Sequence, residues 1–600
     1  MSSAESPSSP AEYLRAARAL EARWTESGTR VLRLAALASF TADFVRPFLV
    51  VEADRLGVSL RPWFAPFGQF EQVVLDPASS LWSETTDAIW LALRLEDVDP
   101  KLLEEFPEMD PAQRVERVSR VGQRLVDLAR ALRERTSATI LVSNFAPPPT
   151  LDAFDANDPD GLVHVVNAEN RVVARALAEI PGAHVFDWSG LSAHVGGRSF
   201  GDPKLWYMAR SPLAAPTQPV LARQLARSVR MALVPAAKCI VVDLDNTLWG
   251  GIVGDDGPEA LQLGDNHPGS IFKDFQRALL QLKRRGFLLA IASKNDRETI
   301  DTVLRTHPEM VLRASDFAAI FANWEPKAVN LRRIAEELNI GLDSLVFLDD
   351  NPVERAQIRA ELPTVAVPEL PLDPMGYVPA LRDLTAVDRG RLLREDRERS
   401  SMYAADTTRR ELARGAPDLQ TFLASLEMKA TVGRCSPVVL ERVHQLIQKT
   451  NQFNLTTRRH GINEVSRLAG AADSAVAWLR LGDRFGDMGL VCVGIIRAVD
   501  GTTWEIDTFL MSCRVMGRNV EDAFLAYLFE LATAKGARRI RGVFRRTAKN
   551  KPGESFYATH GFQEVTKSND ELVYERDAVS APYPWPTVIA RSSETSEVSS

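Results

Sequence analysis

The chain has 600 residues, 45% of them apolar and 25% charged, with a formal net charge of −7. That composition is the one expected of a soluble globular protein, and a mildly acidic chain with no long basic stretch carries no electrostatic footprint for nucleic acid. No apolar run approaches the roughly 18 residues needed to span a bilayer, so no membrane partner is expected. The opening residues are polar and do not read as a secretory signal. Cys239, Cys435, Cys492 and Cys513 show no C-x-x-C spacing, which argues against zinc and against a disulfide framework. A cytoplasmic location with reduced thiols is the expectation.

The chain order suggests three α/β blocks between Ser/Glu-rich ends, with 1–10 and 579–600 expected to be disordered. The first block, 11–235, alternates short apolar strands (from Val31, Ala88 and Ala138) with helical stretches such as Ala112 to Leu132. Ser39 and Asn144 each follow such a strand, which resembles SGNH-type hydrolases. The late D-x-x-H of that fold is absent, since neither Asp187 nor Asp202 has a histidine three residues on. A docking or structural domain without esterase activity is therefore expected here.

The second block, 236–380, holds the most informative run. Lys238-Cys-Ile-Val-Val is a buried-strand pattern that ends in Asp243-Leu-Asp245-Asn-Thr247-Leu-Trp-Gly-Gly251. Side chains alternate along a strand, so Asp243 and Asp245 should emerge together at its carboxyl end, where open α/β sheets bind ligands. A second strand, Phe287 to Ala292, ends in Ser293-Lys294-Asn295. Lys327 follows Asn323-Trp-Glu-Pro326 and opens a helical pattern, and a third strand, Ser344 to Leu348, ends in Asp349-Asp350-Asn351-Pro352. Each group stands at a strand exit or a helix start, so all can converge on one crevice.

These four motifs, in this order, resemble the haloacid-dehalogenase (HAD) superfamily of phosphatases and phosphotransferases. The resemblance implies Asp243 as the nucleophile and Asp245 as the acid/base, with the backbone carbonyl of Asp245 facing the metal. It further implies Thr247 and Ser293 on phosphoryl oxygens, with Lys294 and Asn295 placed to touch substrate or to cap the next helix. Lys327 would neutralise developing charge, and Asp349 and Asp350 would complete a Mg²⁺ site with Asp243.

A charged, helical linker is expected over 381–419, followed by a third block over 420–578. In it, strands from Leu490 and Thr503 lead to Cys513-Arg514-Val-Met-Gly517-Arg518-Asn519 and an amphipathic helix to about Lys535. This order resembles the GNAT acyltransferase fold, whose R/Q-x-x-G-x-G/A turn holds a pyrophosphate at a helix start. Arg514, Gly517 and Arg518 are the phosphopantetheine-binding candidates. Asn519 departs from the pattern where a small residue is expected, which puts ordinary acetyl-CoA binding in doubt. The fold class expected overall is α/β in three domains: SGNH-like, HAD-like with a Rossmannoid parallel sheet, and GNAT-like.

The wording of Asp243 to Gly251, His307 to Met310, Phe347 to Pro352 and Lys449 to Arg458 resembles the FkbH-like proteins, a HAD branch of polyketide pathways. That resemblance implies a glyceryl transferase/phosphatase. Such an enzyme takes D-1,3-bisphosphoglycerate, releases both phosphates and loads the glyceryl group on the phosphopantetheine thiol of an acyl carrier protein. Cys513, between a strand and a helix start beside Arg514, is the candidate for a transient glyceryl thioester. Two alternatives stay open: a stand-alone Mg²⁺-dependent phosphatase of a small metabolite, and a non-catalytic carrier-protein docking module.

Overall fold

The computed structural model describes residues 7–148, 155–390, 409, 412, 417–450, 452–547, 550–568, 570–580 and 582–592; of Cys513 it describes the backbone alone. Contacts divide the chain into one unit of residues 1–234 with 461–464, and a second made of the rest. The architecture is mixed α/β, with parallel sheets in the first two blocks and a mainly antiparallel sheet in the third.

The first unit is built on five parallel strands: β1 (Leu32–Ala38), β2 (Leu60–Phe64), β3 (Ala88–Ala92), β4 (Thr139–Ser143) and β5 (Ala183–Phe186). They lie in the order β2-β1-β3-β4-β5. The central strands are apolar without alternation because both faces are covered. Helices Pro10–Ser27, Arg46–Arg55 and Thr217–Leu233 pack on one face, Pro111–Arg135 and Leu162–Ala178 on the other. The opening helix is fixed by a capping box in which Ser9 and Glu12 each accept from the other's backbone N–H, so order begins before residue 10.

Ser39 does stand at the exit of β1, but its hydroxyl donates to Asp97 Oδ2 at 2.8 Å and accepts from Arg94 N at 3.0 Å. Asn144 binds Asp187 Oδ1 at 2.8 Å. Asp187 and Asp202 both serve as helix N-caps. No histidine is bonded to Ser39 among the described residues.

In the second block the strands are β6 (Cys239–Val242), β7 (Leu288–Ser293), β8 (Phe317–Ala322) and β9 (Leu345–Leu348), all parallel in the order β8-β7-β6-β9. Side-chain alternation sends Ile240 and Val242 into one core and Cys239 and Val241 into the other. Helices Gly269–Arg284 and Arg297–Thr306 cover the first face, Lys327–Glu337 and Pro352–Glu361 the second. The expected boundary at 380 is corrected: Leu381, Leu384, Ala386 and Val387 are core residues of this block, and Ala237 N donates to Ala386 O at 2.8 Å. Most of the expected linker, 391–408, lies outside the described residues, while Leu419–Ser425 is a helix whose Phe422 and Leu423 belong to the next core.

The third block is an eight-stranded sheet of β10 (Met428–Arg434), β11 (Ser474–Asp483), β12 (Gly486–Ala498), β13 (Thr503–Met511), β14 (Arg539–Arg545), β15 (Gln563–Lys567), β16 (Glu571–Asp577) and β17 (Ile589–Ser592). The expectation of a disordered tail from 579 is corrected as far as residue 592. Ile589–Ser592 pairs in parallel with β10, and Tyr583, Trp585 and Val588 pack on the core. β13 and β14 pair only from Thr503↔Arg539 to Ile506↔Gly542, after which the sheet splits. The split is filled by Phe453 to Thr456. Leu455 N donates to Phe509 O at 3.0 Å, Met511 N to Phe453 O at 3.0 Å, and Arg545 N to Leu455 O at 2.8 Å. Buried Asn550 ties the filler down by donating to Asn454 O at 3.0 Å. Among the described residues no helix is long and apolar enough to cross a membrane.

Leu455 is fully buried and so close to Gly553 that a Cβ there would stand 2.7 Å from its Cδ2. Leu455→Ala should therefore lower stability by about 3 kcal/mol in denaturant unfolding monitored in the third block. Leu372→Ala, at a 92% exposed site, should change stability by no more than about 0.5 kcal/mol.

Candidate functional site

β6 ends at Val242, and the chain then turns across the carboxyl ends of its neighbours. Asp243 N donates to Leu348 O at 2.9 Å, which fixes the nucleophile candidate beside the exit of β9. Asn246 takes a left-handed backbone, and Thr247 N and Leu248 N both return to Leu244 O, closing a tight loop. Tyr377, buried and 131 residues away, supports that loop by donating its hydroxyl to Asn246 O at 3.1 Å.

Three carboxylates meet here. Asp243, Asp349 and Asp350 each place an oxygen within 4.8 Å of the other two, an arrangement able to hold a metal ion. Lys327, the first residue of its helix, reaches between them: Nζ lies 2.6 Å from Asp349 Oδ2 and 3.1 Å from Asp243 Oδ1. All but Asp350 are buried. Asp243 Oδ1 faces the Lys327 ammonium, and the all-oxygen donor set of the three carboxylates fits a hard divalent ion such as Mg²⁺.

Burial and mutual repulsion push the three acids above the usual carboxylate range. For Asp243 burial leads, opposed by Lys327 and reinforced by Asp349; for Asp349 and Asp350 burial again leads. Burial also works against the Lys327 ammonium, but Asp243 and Asp349 outweigh it and leave its pKa raised.

The remaining phosphate-binding candidates divide. Thr247 is fully buried and its Oγ1 accepts from Asp350 N at 3.2 Å. Ser293 is buried at the exit of β7, and Asn295 donates to its Oγ at 3.1 Å. Lys294 is turned aside, its Nζ held by Glu354 at 2.6 Å, so the structure does not bring it into the cluster. The carboxylate of Asp245 is also outside the trio. It accepts from Trp249 Nε1 at 2.9 Å, Asn295 Nδ2 at 2.9 Å and Val253 N at 3.1 Å. Trp249 and Tyr377 escaped sequence reasoning; Trp249, four residues after Asp245 in the same loop, was the one within reach of a local reading.

In the third block Cys513–Val515 is a single 3₁₀ turn after β13, and the Cys513 side chain lies outside the described residues. Arg514 Nε donates to Ser512 Oγ at 3.2 Å and Arg518 lies 3.4 Å from Met488 Sδ. Gly517 adopts φ 73° with open space where a Cβ would be, and Asn519, also left-handed, precedes Val520–Ala534 without a side-chain capping bond. Tyr557 and Phe562 are core residues. His560 is engaged by Asp522 at 3.3 Å and by Phe556 O at 2.5 Å.

No family model matches the chain, and no curated protein does. Among solved structures, the N-terminal part of protein BF1531 from Bacteroides fragilis, containing a phosphatase domain and complexed with Mg, is similar at 28% identity and a TM-score of 0.54. The match covers 62% of this chain and 99% of that one. A putative GNAT-family acetyltransferase from Desulfovibrio desulfuricans matches at 14% identity and a TM-score of 0.21, over 25% of this chain and 99% of that one. The ribosomal-protein-S18-alanine N-acetyltransferase of Escherichia coli matches at 12% and 0.20, over 25% and 94%. The Bacteroides likeness and the acidic trio together support a phosphatase-type domain in this chain.

Two outcomes follow. An acid whose pKa is raised by folding favours the folded state at low pH, and that contribution is lost as pH climbs from the unfolded value through the raised one. The metal-free site therefore costs most stability at neutral pH, and a bound cation relieves most there. Mg²⁺ should raise the thermal midpoint more at pH 8 than at pH 5, and an equal rise at both would contradict the acidic-trio reading. Lys327→Met should lower stability in chelator by about 3 kcal/mol, because two buried acids lose their counter-charge; a midpoint unchanged in chelator would show that the ammonium does not hold the pair.

Proposed function

We propose that this protein is a Mg²⁺-dependent phosphatase that doubles as a glyceryl transferase, converting D-1,3-bisphosphoglycerate and a holo acyl carrier protein into a glyceryl thioester. The observation that carries the phosphatase half is Lys327 lying between Asp243 and Asp349, with Asp350 alongside, at the carboxyl ends of β6 and β9. Four converging charges in a buried crevice are costly unless used.

In this reading Asp243 attacks phosphorus, and the bond to the leaving oxygen breaks as the aspartyl phosphate forms. Asp245 gives its proton to that oxygen and then takes one from the water that releases phosphate. Thr247 and Ser293 donate to phosphoryl oxygens, and Lys327 offsets their growing charge. Asp243, Asp349 and Asp350 would hold Mg²⁺, which would supply further charge neutralisation.

The transfer half rests on the wording of the third block and on its resemblance to carrier-loading enzymes. Bisphosphoglycerate joins an acyl phosphate to a phosphomonoester. A thiol attacking the acyl carbon expels one phosphate and keeps the glyceryl group as a thioester; hydrolysis of the monoester releases the other. Cys513 is the proposed first acceptor, and Arg514, Gly517 and Arg518 form the proposed rest for the phosphate of the pantetheine arm.

Incubation with bisphosphoglycerate, Mg²⁺ and holo carrier protein should add a glyceryl mass to the carrier and release two phosphates for each carrier loaded. Asp243→Asn should abolish release from the phosphomonoester in a protein that folds normally; full turnover in that variant would sink the phosphatase assignment. Cys513→Ala should remove a hydroxylamine-labile adduct from the enzyme and stop carrier loading, while activity on a simple phosphomonoester persists. Loading at the wild-type rate would instead mean that the carrier thiol attacks the acyl phosphate directly.

A further inference from the structure

Arg355 lies in the first turn of helix Pro352–Glu361, just past the acidic pair, and is 3% exposed. Its side chain folds back beneath the exit of β9. One terminal nitrogen, Nη1, donates to both Asp349 O and Asp350 O, each at 2.7 Å. The opposite edge of the guanidinium is held by Glu369, at 3.2 Å from Nε and 2.9 Å from Nη2. Glu369 is in turn fixed by Arg359, 2.5 Å away, which also donates to Val367 O at 2.8 Å.

These bonds set the peptide planes on either side of Asp350. Each peptide plane helps set the Cα–Cβ bonds it adjoins, so holding both carbonyls restricts where the two side chains leave the backbone. Two further bonds act on the same turn: Asn351 N donates to Asp349 Oδ1 at 2.9 Å, and Asp350 N to Thr247 Oγ1 at 3.2 Å. The guanidinium fork is suited to this task. A single ammonium could bridge the two carbonyls but could not grip Glu369 at the same time. Its charge also stands behind three acids that repel one another when no cation is present.

We propose that Arg355 is a positioning residue for the metal site: through the carbonyls of Asp349 and Asp350 it holds their carboxylates in the geometry that binds the cation, and Glu369 holds Arg355. This rests on the metal-site reading given above. It does not require Arg355 to touch substrate or metal.

The test is calorimetric titration of the full-length protein with Mg²⁺, without substrate, at fixed pH. Arg355→Met should weaken Mg²⁺ binding by at least about tenfold, the usual scale for losing a group that orients metal ligands. Arg355→Lys should fall between Arg355→Met and the wild type. Arg359→Met, which loosens Glu369 but touches neither carbonyl, should stay within about twofold of wild type, so a general loss of packing is separated from a loss of positioning. Glu369→Gln should weaken binding by a few fold, and it carries the test if Arg355→Met fails to fold. A folded Arg355→Met protein with wild-type affinity would overturn the proposal, as would Arg359→Met weakening binding equally. A wild-type protein that binds no Mg²⁺ would remove this inference together with the metal site; normal wild-type binding with an indifferent Arg355 removes this inference alone.

Discussion

Repulsion among three carboxylates gathered at one sheet end is the constraint around which the central block is organised. Left alone, Asp243, Asp349 and Asp350 would push apart or take up protons. The fold answers with strand exits that fix Asp243 to the backbone of β9, with one ammonium between two of the acids, and with a guanidinium behind the third. Asp243 and Asp349 are buried with Lys327 as their counter-charge. Charges held in this way are poised for an added cation, which relieves a repulsion already present in the folded chain.

The centre of this arrangement was legible in the sequence because its parts lie at the ends of strands buried on both faces. A run such as Cys239–Val242 is apolar throughout, and the polar residue that ends it marks the sheet's carboxyl edge. Asp243, Ser293, Asp349 and Asp350 follow from that logic, while Thr247 came from the motif that continues past Asp243 and Lys327 from the helix it opens. Strands at sheet edges are harder to see. β2 contains an exposed arginine and a proline, β5 has only four residues, and β8 is only intermittently buried. Each was passed over because a half-exposed strand need not repeat any hydrophobic period.

Long-range support was equally hidden. Tyr377 reaches a loop 131 positions earlier, and no local pattern announces such a contact. The boundary after the central block was placed too early for a related reason. Its last core residues, Leu384 to Val387, follow a proline-punctuated stretch that reads as a linker, and only their burial shows that they close the domain. In the first block, the serine at the end of β1 was correctly located, but its partner Asp97 could not be inferred. Among the described residues Ser39 is bonded to Asp97 and to the backbone of Arg94, and to no imidazole.

The filler between β13 and β14 bears on how the third block comes together. Phe453 to Thr456 must be gripped on one side by residues near 509 and on the other by Arg545, some 90 positions downstream. The second grip needs β14 and Asn550, so the gap in the sheet is sealed by contacts distant in sequence. Joining segments this remote carries a loop-closure cost that pairing of neighbouring strands does not. Until it occurs, the β13 edge exposes an unpaired row of amides. Afterwards that row is satisfied from within the chain itself, so among the described residues the gap between β13 and β14 is taken by the chain's own segment and not left for a foreign strand.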